Sequence, residues 1–213
     1  SKPSAEFVKK GLQNVQDIIA YCARVSNPAN QYNTETSERL LRYCMRHKHW
    51  SIFEMASACL EIETTRDIAH QIVRHRSFSF QEFSQRYANP SEFDEQFVLR
   101  EARLQDEKNR QNSVETDNEL IHGDWKYWQE RVIDISLSAY EWAIQNGVAK
   151  EQARVVLPEG LTKTRLMMNG TLRSWIHYIE LRSANGTQKE HMEIAKECGK
   201  IIAEIFPILF KLT

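Results

Sequence analysis

The segment RHRSFSFQEFSQRY, residues 74–87, holds three arginines, one histidine, three serines, one glutamate and three phenylalanines, with no glycine and no proline. Just before it, RDIAHQIVRHR (66–76) places Ile68, Ala69, Ile72 and Val73 at helical spacing. Gln71, Arg74 and His75 then lie one turn apart and leave the end of that helix together. Arg86 returns a further guanidinium after a non-helical connection. Phe78, Phe80 and Phe83 are costly to expose, so the segment must pack against something. A phosphate loop would use glycines and backbone amides. Here any anion cradle is built from side chains: planar arginine forks and the hydroxyls of Ser77, Ser79 and Ser84. Glu82, alone among arginines, is suited to orienting a ligand or a guanidinium.

Outward from this stretch, elements of two kinds are expected. SACLEIETT (57–65) and LTKTRLMMNG (161–170) alternate like strands, and EQFVLREARL (95–104) is a third strand candidate. Residues 15–26, 36–50, 125–148, 150–158, 171–183 and 189–210 carry helical periodicity. Thr36 or Ser37 is a candidate cap, Gly147 a C-terminal stop, and Pro158 a helix end. The polar run near 105–124 is a surface excursion. The expected fold is a single α/β (α+β mixed) domain, residues 1–213, with a central mainly antiparallel sheet flanked by long helices.

Composition narrows the function classes. With 41% hydrophobic, 27% charged and 10% aromatic residues the chain is of ordinary globular type. Its 28 basic residues are offset by 29 acidic ones, a net charge of -1, which argues against a general polyanion binder. No apolar run is long enough to span a bilayer, and SKPSAEFVKKGLQ has no hydrophobic signal core, so a cytoplasmic protein is expected. Cys22, Cys44, Cys59 and Cys198 form no C-x-x-C pair and read as free, mostly buried thiols without an activating context. HKHWSIFE (47–54) contains His-x-His, but no carboxylate or cysteine cluster completes a metal set, and no metal is expected. In TLRSWIHYIELRS (171–183), Arg173 and His177 share a helical face while Arg182 points well away from them, so one helix serves two neighbours.

The order Arg74-His75-Arg76, seven residues, then Ser84-x-Arg86 resembles the signature of flavin-dependent thymidylate synthases. ARVS (23–26), HKHWSIFE (47–54), EQARVVLP (151–158), TLRSWIHYIELR (171–182) and TQKEHMEIA (187–195) resemble that family's flanking blocks in order and approximate spacing. The resemblance implies an FAD enzyme that makes dTMP from dUMP, with 5,10-methylenetetrahydrofolate as carbon donor and NADPH as source of the hydride. It implies a homotetramer with active sites between subunits and no cysteine nucleophile. Matched by position, Ser26, His49, Ser51, Arg74, His75, Arg76, Glu82, Arg173 and His177 are the implied cofactor contacts. Gln71, Arg74, Glu82, Ser84, Gln85, Arg86, Arg154 and Arg182 are the implied dUMP contacts, with Arg182 polarising the uracil ring at N3. The chain departs from the family at Thr171 and His177, where asparagine is common, and at Gly186, where several relatives have histidine. A rival reading makes residues 74–86 a single-stranded nucleic-acid module with the phenylalanines as stacking platforms.

Overall fold

The computed structural model describes residues 3–87 and 95–208. Five strands follow in chain order: β1 (Ser57–Thr65), β2 (Phe78–Glu82), β3 (Arg103–Gln105), β4 (Ser113–Glu115) and β5 (Lys163–Thr171). The helices are α1 (Ala5–Lys9), α2 (Val15–Ala23), α3 (Ser37–Arg46), α4 (Arg66–Ile72), α5 (Glu119–Gln145), α6 (Lys150–Ala153), α7 (Leu172–Arg182) and α8 (Lys189–Ile205). The main sheet runs β1-β5-β2 and is antiparallel throughout.

The central strand β5 alternates strictly. Thr164, Leu166, Met168 and Gly170 are buried, while Arg165, Met167 and Asn169 are exposed. Helices therefore cover one face of the sheet, as a half-buried antiparallel sheet allows. Ile62, Leu166, Met168 and Phe78 from that face join Ile68, Ile72, Trp175, Ile176, Ile179, Ala195 and Ile202 from the helices in one core. At the seam the Phe78 ring meets Trp175 edge-on at 4.8 Å between centroids, with Tyr178 at 5.9 Å. Burying a ring of this size contributes about 1.5–3 kcal/mol, and each aromatic pair about 0.5–1.5 kcal/mol more. Trp175 also donates its indole N–H to the Ala58 carbonyl at 3.0 Å, which ties α7 to β1.

Several elements end where the sequence places them, and their caps explain why. Thr171 caps α7 by accepting from the Ser174 N–H. Gly147, with φ at +76°, follows the last turn of α5 in the left-handed conformation that glycine adopts freely. Thr36 does sit at the cap of α3, but its hydroxyl accepts from Arg24 Nη2 at 2.8 Å instead of bonding the helix.

Two expectations change and a third gains detail. The strand expected over 95–104 shrinks to β3 and a single bridge from Phe97 to Thr162. The cause is Gln129 of α5: its side-chain amide accepts from the Arg100 N–H at 2.7 Å and donates to the Arg100 carbonyl at 2.9 Å, taking the place of a strand partner. The polar excursion is ordered as the β3-β4 hairpin and the first turns of α5, which begins at Glu119 because Asn118 caps it. The helix expected to reach residue 76 stops at Ile72, where a turn closed by His75 N–H to Ile72 O at 3.1 Å redirects the chain into β2.

In the β2–β5 ladder Phe78 lies opposite Gly170. A Cβ on Gly170 would stand 2.4 Å from Phe78 Cδ1 and 2.5 Å from Cε1, closer than any real contact. Gly170→Ala therefore forces Phe78 off Trp175. The expected outcome in denaturant unfolding is a loss of about 1–3 kcal/mol, with Gly123→Ala, which meets no atom and lies within α5 where alanine suits a helix better, as the control that is not destabilised.

Candidate functional site

The turn between α4 and β2 is anchored from above by α7. Ser174 Oγ donates to the Ser77 carbonyl at 3.1 Å, so the first turn of α7 holds the chain just past the arginines. At the far end of the same helix Arg182 Nε donates to His75 Nε2 at 2.9 Å. Accepting from a guanidinium requires His75 to be neutral at Nε2. Burial lowers its pKa, and the Arg182 charge lowers it further. Arg182 is thereby oriented through Nε, and its two Nη groups have no protein partner among the described residues.

Behind His75 lies a buried polar cluster that the sequence reading did not find. The Tyr178 ring stands edge-on to His75 at 5.0 Å, and its hydroxyl pairs with His191 Nε2 at 3.1 Å. Burial raises the Tyr178 pKa, so the phenol stays protonated. His191 Nδ1 is 3.3 Å from Gln71 Oε1, and Gln71 Nε2 donates to Gln188 Oε1 at 2.8 Å. A partial signal existed, because Tyr178 and Arg182 are four apart on α7; nothing in the spacing of α8 announced His191 as a partner of Gln71.

The remaining candidates fall into groups. Arg74 and Arg76 are exposed and have no ion pair among the described residues, leaving both forks available. Glu82 accepts from Thr164 Oγ1 at 2.9 Å and pairs with Arg66 Nη1 at 3.5 Å, so the cation beside it comes from the start of α4, not from the motif. Ser84 Oγ accepts from the Arg86 N–H at 3.4 Å. Gln85 is buried, and its Nε2 lacks a hydrogen-bond partner among the described residues. Arg86 approaches Glu151 at 3.7 Å and Lys150 donates to the Tyr87 carbonyl at 3.1 Å, which brings the block carrying half-buried Arg154 beside residues 86–87.

A third group surrounds the 3-10 helix Trp50–Glu54. His49 at its cap and Ser51 within it are exposed. Arg173 pairs with Glu54, and His177 stands edge-on to Trp50 at 4.7 Å, so this face of α7 serves a different neighbour from Arg182, as its spacing predicts. Ser26, exposed past the end of α2, shares no hydrogen bond with the other candidates among the described residues. Thr171 is committed to capping α7, and Gly186 has φ at +91°, which suits glycine at that departure from the family pattern.

The donor set fits a phosphate-bearing group: guanidiniums at Arg74 and Arg76 and a buried amide nitrogen at Gln85, none of which has a partner among the described residues. Burial works against a reactive thiolate at three of the four cysteines. Burial pushes Cys198 up to about 12 and raises Cys22 and Cys44. Cys44 and Cys198 are buried, whereas Cys22 is half-buried and Cys59 exposed, so burial is less general than expected. Among the described residues no group of three or more metal-ligating side chains assembles, and no helix is long and apolar enough to cross a membrane. Phe78 is buried against Trp175 and is not available as a stacking platform.

Burial drives the His191 pKa down to about 4, with the Arg182 charge adding to the fall. Unfolded His191 takes its proton near pH 6.5. Between those values the unfolded chain binds the extra proton, so stability is full above about 6.5 and is lost as the pH falls toward 4. Urea unfolding across that window should show a slope up to about 1.4 kcal/mol per pH unit steeper for wild type than for His191→Asn.

Residues 9–208 match the family described as thymidylate synthase complementing protein. The chain is 50% identical over 204 residues, 96% of its length and 93% of the relative, to a probable flavin-dependent thymidylate synthase of Paramecium bursaria Chlorella virus 1. It is 51% identical over 192 residues, covering 90% of this chain and 86% of the other, to a flavin-dependent thymidylate synthase of Synechocystis. Among solved structures, the UMP/dUMP methylase PolB from Streptomyces cacaoi, bound with 5-Br dUMP, superposes with a TM-score of 0.75. That match spans 92% of this chain and 89% of that one at 21% identity.

Proposed function

The chain belongs to the flavin-dependent thymidylate synthase family, and on that premise we propose that it converts dUMP to dTMP with FAD as cofactor. Methylenetetrahydrofolate is the carbon donor and NADPH the reductant, so dUMP, the folate, NADPH and a proton give dTMP, tetrahydrofolate and NADP. The observation that carries the proposal is the orientation of Arg182, held at Nε by His75 with its Nη groups uncommitted.

Carbon 5 of uracil is a poor nucleophile until negative charge develops across N3 and O4. A fixed guanidinium at that edge interacts more strongly with the developing charge than with the neutral ring, so it lowers the barrier. Because His75 holds it beforehand, little reorganisation accompanies reaction. Bound FAD supplies the hydride chemistry; the chain supplies binding, orientation and electrostatics. Arg74, His75 and Arg76, with Ser26, His49, Ser51, Glu82, Arg173 and His177, would hold FAD. Gln71, Ser84, Gln85, Arg86 and Arg154, together with Arg74, Glu82 and Arg182, would hold dUMP.

The separation of these residues into groups within one chain supports sites completed by a second subunit of a homotetramer. So does α5, where Leu120 is 79% exposed, Trp128 61%, Ile135 63% and Trp142 63%, an apolar surface of the kind that marks association. A cytoplasmic location accords with a nucleotide-making reaction.

The test is dTMP formation by purified protein supplied with FAD, NADPH, dUMP and methylenetetrahydrofolate. Turnover is expected, and Arg182→Ala should lower it by about 100-fold or more while bound flavin persists. No dTMP from flavin-loaded wild type overturns the assignment; undiminished turnover in the variant removes Arg182 from its role.

A further inference from the structure

His191 has no part in the chemistry above, yet it is wholly buried with both ring nitrogens engaged. The directions of its bonds follow from one end of the network. Glu190 is an acceptor paired with Arg100 at 3.2 Å and with Arg103. Gln188 lies 3.0 Å from that carboxylate and must turn its NH2 toward it. Its Oε1 then accepts from Gln71 Nε2, which turns Gln71 Oε1 toward His191. An amide oxygen cannot donate, so His191 carries its proton on Nδ1. Its bare Nε2 accepts from the Tyr178 hydroxyl. Every bond points the same way, and reversing one amide would set donor against donor.

We propose that His191 is a positioning residue for the nucleotide wall: its Nδ1–H holds Gln71 Oε1 inward, so that the second Nε2–H of Gln71 faces an acceptor oxygen of the substrate. That N–H has no protein partner among the described residues. The proposal rests on the reading of Gln71 as a dUMP contact, and it specifies which end of the amide does the recognising. A buried ring held in one tautomer by Gln71 Oε1, with the Tyr178 hydroxyl donating to its other nitrogen, suits this task, because it cannot offer Gln71 an acceptor in place of a donor. Tyr178 also packs against His75, the ring that orients Arg182, so one tyrosine supports both walls.

Two measurements test it on the FAD-loaded protein. The 15N shifts of His191 without substrate should report the neutral Nδ1–H tautomer; the Nε2–H tautomer overturns the proposal whatever the substrate. Next, dUMP affinity and steady-state kinetics are compared for wild type, His191→Asn, His191→Leu, Gln71→Leu and the Leu/Leu double variant. Asparagine can place an amide donor where Nδ1–H stood, and should keep dUMP affinity within about threefold. Leucine should weaken it about tenfold, the scale of one hydrogen bond, raising KM more than it lowers kcat, and should add nothing in the Gln71→Leu background. Equal losses from asparagine and leucine, or an added loss in the double variant, make His191 a packing residue and overturn the proposal. Should His191→Leu not fold, His191→Met, which fills similar space without an N–H donor, takes its place with the same expectations. A wild type with the Nδ1–H tautomer that binds no dUMP overturns the functional reading instead, and with it the role of the second N–H.

Discussion

The contact of the Phe78 ring with the bare backbone of Gly170 is the constraint on which the site depends. It lets β2 close on β5 with an aromatic ring between the ladder and α7, where Trp175 and Tyr178 receive it. Once Phe78 is seated, the turn before it has little freedom. Ser77 is held by Ser174, and His75 meets Arg182 across the gap between α4 and α7. The arginines outside that seam are left in solvent with their charges uncommitted. An apolar contact thus decides where the polar groups stand.

Much of this was legible in the sequence, for reasons particular to each element. β1 and β5 alternate because one face is buried, and α7 carries Arg173 and His177 on a side distinct from Arg182 because five residues do not close a helical turn. The phenylalanines of 74–87 predict packing, and Phe78 is buried accordingly. The rest was hidden because it depends on partners distant in the chain. Gln129 replaces a strand beside Arg100, Arg66 in place of a motif arginine meets Glu82, and His191 reaches Gln71 across 120 positions. Local periodicity carries no information about a side-chain amide acting as backbone, nor about which carboxylate a guanidinium meets after folding.

The balance of charge acquires a meaning in this frame. Most arginines near the site are spent: Arg100 and Arg103 on Glu190, Arg66 on Glu82 and Glu159, Arg173 on Glu54. Arg74 and Arg76 are not, and a chain of net charge -1 thereby keeps a local cationic surface without a general affinity for polyanions. The neutral histidines at 75 and 191 add hydrogen-bonding direction without adding charge, which keeps the guanidinium of Arg182 the dominant field at its edge of the site.

The most direct measurement is the visible absorption spectrum of the FAD-loaded protein as dUMP is added. If the 74–86 stretch is a wall shared by flavin and uridine nucleotide, the flavin bands should shift and saturate at one dUMP per chain. A protein that takes up FAD but whose spectrum is unmoved by saturating dUMP, with no binding detected by calorimetry, would contradict it.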